Sequence, residues 1–596
     1  MIKTSAPISA SIALAAALTL SACASISDYK VPETVTAAPA PAEPVTIQIL
    51  GLNDFHGALE APNQSVFITG EDGEVIRVPA GGSAWLANAL DTLRQGQVNT
   101  LTVSAGDMTG GSQLASALYL DEPAVETLSR IGLEFNAVGN HEFDRGWQEL
   151  KRLQDGGCEK LHERDPCQLE QFTGARFQYL AANVTMPDGS TIFPATAMRE
   201  FGEGDARVSV GLVGLTLEGT DKLVSPSGIE GISFGDEVQA INKNVTALDE
   251  QGADAIVVLI HQGIRTFADP DPNGCGQPEG ALEAILSGID PRVDVVISGH
   301  THWSYVCNWP SSEPTHDFLL TSAGVYGSLV TDITLSIDPV AGDVIAKSAR
   351  NVIVQSRPYQ SSTSPVENVA KFPVFTADPE IAAYVARYAD AAKEFTERPV
   401  GKVSGPAQKG SGEENNKGKE LGRLIADAQL AATQDTGAQI AFMNPFGIRD
   451  RLNPKADGSL TYGDIARVQP FNNELITQTF TGAQIKSLLE QQFEGDDPIQ
   501  FLAPSQGFHF SYDLSRPLGD RIVAISLNGQ AIAQGGTYRV TTNNFLAKGG
   551  DSFSVLTEGT DAVQSGSDID ALEAYLRAVP VRQIPIADSI TDLTPN

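Results

Sequence analysis

The sequence predicts an α/β protein of two domains joined by a helix. Three observations carry that reading. Short β-branched runs alternate with helical stretches from about Val45 to Pro358. A helix opened by Asp378-Pro379 follows. A second mixed region runs from about Val400 to Pro580. A chain of 596 residues has ample length for two large cores. Apolar residues make up 41% and charged residues 19%, the balance of a folded globular protein. The net charge of −34 excludes a protein that coats nucleic acid or seeks anionic lipid, because both need a Lys/Arg surplus. It leaves room for a small anionic substrate, since metal ions or a few arginines invert the local field.

Residues 1–22 read as an address. Lys3 supplies a short positive region, and Ile12–Leu20 is an apolar core too short to span a bilayer. Leu20-Ser21-Ala22-Cys23 resembles the lipobox of a bacterial lipoprotein signal peptide, with Cys23 as the residue to be acylated. Ala24 in place of Asp resembles outer-membrane sorting, so the expected location is the periplasmic face of a bacterial outer membrane. Residues 23–44, rich in Ala, Pro, Ser and Thr, read as a flexible tether.

The first domain is expected over 45–360. Val45–Leu52, Thr100–Ala105, Val208–Val213, Ala255–Ile260 and Val293–Ser298 read as buried strands of a layered sheet. Ala84–Arg94, with Ser83 as N-cap, and Glu122–Ile131 read as intervening helices. Within the linker, 361–399, Asp378 caps a helix that has Pro at its first position. Ile381, Val385, Tyr388, Ala392 and Phe395 follow at helical spacing. The second domain, 400–590, reads as helices Leu421–Thr433 and Thr481–Glu494 with strands Ala438–Met443, Arg521–Leu527 and Thr537–Thr542. Besides Cys23 there are four cysteines. That even number predicts disulfides in an export compartment, and Cys158–Cys167 with Cys275–Cys307 is the most local of three pairings.

Polar residues collect just after the first domain's strands: Asn53-Asp54-Phe55-His56-Gly57, Gly106-Asp107, Gly139-Asn140-His141-Glu142-Phe143-Asp144, His261-Gln262-Gly263 and Gly299-His300-Thr301-His302. Five of the eight histidines lie in these turns, while His162, His316 and His509 sit in polar or aromatic contexts without such neighbours. Ligands of α/β folds bind at the carboxyl ends of strands, so five turns converge on one place. Imidazole, carboxylate and amide oxygen together suit Zn, Mn or Fe. Two such ions about 3.5–4 Å apart clamp an in-line phosphoryl displacement.

These motifs are similar to those of the calcineurin-like metallophosphoesterases. The spelling NDFHG, GD, GNHEFD, HQG and GHTH resembles the 5'-nucleotidase family over essentially the whole mature chain. The resemblance implies an αββα-type metallophosphoesterase domain followed by a mixed α/β nucleoside-binding domain. It implies two divalent metal ions: Asp54, His56, Asp107 and His302 on one, and Asp107, Asn140, His261 and His300 on the other. His141 becomes the catalytic imidazole, oriented by Asp144. In the second domain, Phe471 and Phe545 match the aromatic pair that holds the base, and Asn473 and Asp551 the groups that bond ribose or base. Arg449 matches the phosphate-gripping arginine. The implied substrate is a nucleotide, with no obligate protein partner. Pro445-Phe446 replaces two glycines of the family pattern. The stretch Ser411–Lys419 lacks the family's further arginines, leaving Arg423 inside the following helix as the nearest one. That departure admits a 2',3'-cyclic nucleotide or a UDP-sugar as substrate. Binding without turnover is the remaining reading, weakened by the complete ligand set. For the address, Cys23→Ser is expected to abolish incorporation of labelled palmitate and to move the protein from membrane to soluble fraction.

Overall fold

In the computed structural model the β-branched runs of the first domain form two six-stranded sheets. Residues 43–161, 164–267, 270–310, 317–361, 364–409, 419–494 and 499–595 are described. Lys3, Cys23, His162, His316 and the stretch 410–418 lie outside them. In one sheet Val45–Leu52 runs parallel to Thr100–Ser104, which pairs with Phe135–Ala137. In the other, Ala255–His261 lies between Val208–Thr216 and Val295–Ser298, all parallel, with Val257 opposite both Leu212 and Val295.

The two sheets face each other. Ile47, Ile49, Leu101 and Val103 of one share a core with Leu212, Val257, Leu259 and Ile297 of the other. Alternate residues point the opposite way, as the pleat requires. Leu50 and Leu52 pack under the helices Ser83–Arg94 and Glu122–Arg130, and Val258 and Ile260 under Glu237–Glu250. The layers are helix, sheet, sheet, helix. Burial on both faces explains why these strands read as unbroken apolar runs rather than alternating ones.

Some local readings change. Ser83 is the first residue of its helix rather than the cap, and its hydroxyl donates to the Leu59 carbonyl at 2.7 Å. His261 is the last residue of its strand rather than the first of the turn. The linking helix, Pro379–Thr396, begins as expected, with the Asp378 carboxylate accepting from the Glu380 and Ile381 N–H groups. It is more than a connector. Ile381 and Val385 join the first domain's core, and Tyr384, Tyr388 and Ala392 pack with Leu118 and Tyr119. Phe395, expected on that buried face, is 48% exposed at the last turn. Disulfides join Cys158 to Cys167 and Cys275 to Cys307. Among the described residues no helix is long and apolar enough to cross a membrane.

The second domain has a five-stranded sheet with Thr537–Asn543 at its centre and a four-stranded sheet around Ile522–Leu527 and Phe508–Tyr512. Lys419–Ala432 and Asp568–Arg577 pack on one core through Leu421, Leu424, Leu572 and Leu576. The Gly482–Gln491 helix packs on another through Ile485 and Leu488, opened by a Thr481/Gln484 capping box.

One buried group ties the Asp568–Arg577 helix to the segment that carries Asn473. The Asp568 N–H donates to the Asn473 carbonyl at 2.7 Å, and the Asp568 carboxyl is buried, with its Oδ1 lacking a hydrogen-bond partner among the described residues. Burial pushes that carboxyl up to about 7. The unfolded value is about 3.9, so the folded chain holds this proton more tightly. Stability from this group therefore falls as pH rises from about 4 to about 7, and the cost is fully present above that. Asp568→Asn is expected to flatten the fall in melting temperature between those pH values, measured by thermal denaturation.

Candidate dinuclear metal centre

The five turns meet as the spacing predicts. Asp54, His56 and His302 bring ligand atoms within 4.8 Å of one another, and Asp107, His261 and His300 form a second such group. Asp107 Oδ2 lies 2.9 Å from His261 Nε2 and 3.7 Å from His56 Nε2, so one carboxylate faces both groups. Asn140 Oδ1 lies 3.2 Å from His261 Nε2 and 3.0 Å from His300 Nδ1. His56 Nε2 and His302 Nε2 face each other at 3.1 Å.

The backbone supports this convergence at a cost. Asp54, His56, Asp107, His300 and His302, five of the seven predicted ligands, hold φ between 48° and 70°. Such left-handed residues cost about 1–3 kcal/mol each and persist only where their surroundings over-determine them. Gly139 makes the close packing possible, because a Cβ there would lie 2.2 Å from Asp107 Oδ1.

The donor set fits two divalent cations. His56 Nδ1 faces the Gly110 carbonyl at 2.8 Å and His261 Nδ1 the Ala105 carbonyl at 2.7 Å. A carbonyl only accepts, so each Nδ1 carries the proton and each Nε2 keeps its lone pair for a metal. Burial pushes His56 well below the ordinary histidine value and His300 down to about 3, keeping both neutral. Burial would raise Asp107, but His261 and His141 hold it well below the usual carboxylate range. Against burial, Asp107 raises His261 to about 9. A divalent cation held by these two side chains would take the place of that proton.

His141 stands beside the ligands. Its Nδ1 lies 3.0 Å from both Asp144 oxygens, and Asp144 and then Asp107 outweigh burial to raise it above the ordinary histidine value. The Phe471 ring stacks on it at 5.6 Å with planes 7° apart, and Arg449 lies over Phe471 at 5.8 Å. Arg449 Nη2 is buried without a hydrogen-bond partner among the described residues. A Cβ placed on Gly111 would lie 3.9 Å from that nitrogen and 3.5 Å from His56 Nδ1. The second domain's arginine thus reaches the edge of the ligand cluster.

The other expected substrate residues are placed differently. Phe545 packs against the second domain's own apolar cluster, with its ring under Gly550. Asp551 accepts from Asn444 Nδ2 at 2.7 Å, and the Asn473 carbonyl accepts from the Asp568 N–H at 2.7 Å. Arg423 bonds Asp588, Ser589 and the Ile586 carbonyl.

Sequence reasoning missed Glu142. Its buried carboxylate accepts from the backbone N–H groups of Asp107, Met108, Thr109 and Gly139 at 2.7–3.2 Å, locking the two central turns together. Burial and then Asp107 push it up to about 7. Its signal was its place between His141 and Phe143 in the densest motif. Asp121 was missed too: it accepts from Arg145, Ser116 and the Gly110 N–H, steadying the carbonyl that orients His56. Behind Arg449, Lys409 Nζ donates to the carbonyls of Ile448 and Arg449 at 3.3 and 3.2 Å, and burial followed by Arg449 lowers it to about 8.

Comparison with known proteins agrees with this geometry. Residues 47–304 match the calcineurin-like phosphoesterase family, and residues 399–558 match the 5'-nucleotidase C-terminal domain. The chain belongs to the 5'-nucleotidase family of metallophosphoesterases. It is a phosphoester hydrolase by descent, and its two ligand groups imply divalent metals. It is 29% identical to the endonuclease YhcR of Bacillus subtilis over 90% of its length, and spans 40% of that protein. It is 25% identical to the 5'-nucleotidase of Diplobatis ommata over 91% of this chain and 89% of that one. The crystal structure of a 5'-nucleotidase precursor from Thermus thermophilus shares the fold, with a TM-score of 0.72 at 24% identity, over 93% of this chain and all of that one.

Glu142→Gln weakens the clamp on the turns that carry Asp107 and Asn140. Metal affinity is expected to fall about 10- to 100-fold, read by chelator competition.

Proposed function

We propose that this protein is an exported 5'-nucleotidase that releases inorganic phosphate from nucleotides and is anchored through lipid on Cys23. The catalytic domain is assigned to 45–360, the linker to 361–399 and the substrate domain to 400–590. Asp54, His56, Asp107 and His302 would hold one divalent ion; Asp107, Asn140, His261 and His300 would hold the other. When bound, the two ions supply hydroxide near neutral pH and offset charge on the phosphoryl oxygens. Arg449 receives the phosphate with its planar fork. His141, kept protonated by Asp144, gives its proton to the leaving ester oxygen as the P–O bond breaks. Phe471, Phe545, Asn473 and Asp551 are assigned to the nucleoside side.

The observation that carries this reading is Arg449 Nη2, buried and unpartnered at the edge of the ligand cluster. A buried guanidinium left without an acceptor is costly, and a substrate phosphate there supplies one. A second reading, in which a 2',3'-cyclic nucleotide or a UDP-sugar is preferred, draws on the engagement of Arg423 with Asp588. That leaves Arg449, backed by Lys409, as the cation found at the cluster from this domain among the described residues.

The test is product formation from AMP, 2',3'-cyclic AMP and UDP-glucose with Mn or Zn. AMP is expected to be hydrolysed fastest, and a higher kcat/KM on either other substrate would transfer the assignment to it. Asp107→Ala is expected to lose both metal and activity. His141→Ala is expected to lose about 10²- to 10⁴-fold in kcat while metal analysis still finds two ions per chain. No turnover with metals loaded would refute hydrolysis.

A further inference from the structure

One tyrosine stands beside the ligand cluster on backbone it does not favour. The turn 324–328 crosses from the strand Asp317–Ala323 of one six-stranded sheet to Leu329–Asp338 of the other. Tyr326 lies at its centre with φ of 59°. A bulky side chain rarely accompanies left-handed backbone, which glycine adopts freely. The turn is held in that shape from several sides. The Tyr326 N–H donates to the Asp54 carbonyl at 2.8 Å. Asn53 Nδ2 donates to the Gly324 carbonyl at 2.7 Å, and Asn53 Oδ1 accepts from the Ala323 N–H at 2.6 Å. A Cβ on Gly81 would lie 2.9 Å from the Tyr326 carbonyl oxygen, so that glycine lets the chain pass close. Strain enforced in this way by its surroundings points to function rather than to a loose loop.

The ring lies against the centre. Its centroid is 5.9 Å from that of His56 and 6.3 Å from that of His302, two candidate ligands of one ion. His56 also meets the His141 ring at 5.1 Å, but no ring contact joins Tyr326 to His141 among the described residues. Tyr326 thus shares the flank of His302, and His141 holds a separate one.

Packing accounts for the ring and not for the hydroxyl. The half-buried ring packs against the first domain's apolar core, as a phenylalanine would. The hydroxyl makes no hydrogen bond among the described residues. A phenol is protonated at neutral pH, and burial raises this one further, so it is an O–H donor. The charge of Arg449 acts on Tyr326 as it does on His56, His141 and His302. Two donors without protein acceptors, Arg449 Nη2 and the Tyr326 hydroxyl, therefore border the same ligand side chains. A phosphoryl group carries several acceptor oxygens and satisfies both.

We propose that Tyr326 contacts the substrate, its hydroxyl donating to a terminal oxygen of the bound phosphoryl group beside Arg449. This rests on the phosphoester-hydrolase reading of the centre and not on the choice of nucleotide. His141 is assigned to the leaving oxygen, so the two groups serve different atoms. Tyr326 then contributes equally whatever alcohol leaves, whereas a general acid matters most when the leaving oxygen is strongly basic.

The test is Tyr326→Phe, which keeps the ring and removes only the hydroxyl. Binding of inorganic phosphate to the Mn-loaded protein is measured by titration calorimetry. Turnover is measured on AMP and on p-nitrophenyl phosphate, whose leaving phenolate needs little protonation. Phosphate affinity and both kcat/KM values are expected to fall about 10- to 100-fold, the worth of one hydrogen bond to a charged group. Metal content and melting temperature should stay at the wild-type values. His141→Ala should instead lose far more on AMP than on p-nitrophenyl phosphate. Unchanged phosphate affinity and turnover in Tyr326→Phe, or no phosphate binding by the wild type, would overturn the proposal. So would a loss confined to AMP, which moves the hydroxyl to the leaving oxygen. A loss matched by falling metal content or melting temperature would also overturn it, because the role is then structural. Failure of the wild type to hydrolyse AMP while it hydrolyses p-nitrophenyl phosphate counts against the 5'-nucleotidase assignment alone. Tyr326 is then decided by phosphate binding and p-nitrophenyl phosphate turnover.

Discussion

The centre depends on one carboxylate kept ionised in a dry place. Asp107 is buried, yet it faces the nitrogen of His261 at 2.9 Å and that of His56 at 3.7 Å. A lone charge there would neutralise itself by taking a proton. Asp107 does not, because it lies among imidazoles and accepts the His141 N–H at 2.9 Å. Its own N–H is held in turn by Glu142. The two candidate ligand groups lie side by side, with this carboxylate facing a histidine of each.

Holding that geometry requires a rigid frame. Left-handed backbone at five ligand positions stores strain that a flexible loop would release. Here each strained turn follows a strand whose two faces are both buried, so it cannot relax without disturbing a shared core. Residues outside the ligand set complete the frame. Asp121 steadies Gly110, Gly110 orients His56, and Glu142 ties the Asp107 turn to the Asn140 turn. The second domain contributes differently, with Arg449 and Phe471 brought against the first domain's His56 and His141.

Much of this was legible in the chain alone. The layered α/β class followed from β-branched runs separated by amphipathic stretches, and Asp378-Pro379 marked its helix by capping chemistry. The ligands could be named because metal chemistry restricts residue types and α/β topology restricts where they occur. Boundaries were less legible where a local rule met a stronger tertiary one. Ser83 has the chemistry of a cap, but its hydroxyl is taken by the Leu59 carbonyl. Phe395 keeps the helical spacing but lies beyond the surface that the helix covers.

The sequence by itself determined which atoms can bind a metal, since side-chain chemistry and strand-end position are local properties. Only the tertiary structure decided how those atoms are shared, oriented and guarded. Glu142 reads as one more acidic residue until four backbone N–H groups are seen to converge on it. Asn473 and Phe545 match a nucleoside clamp by motif; only the fold shows that the Asn473 carbonyl accepts from the Asp568 N–H and that Phe545 is partly buried against the second domain's apolar cluster. Contacts between distant segments are set by packing, which no local pattern encodes.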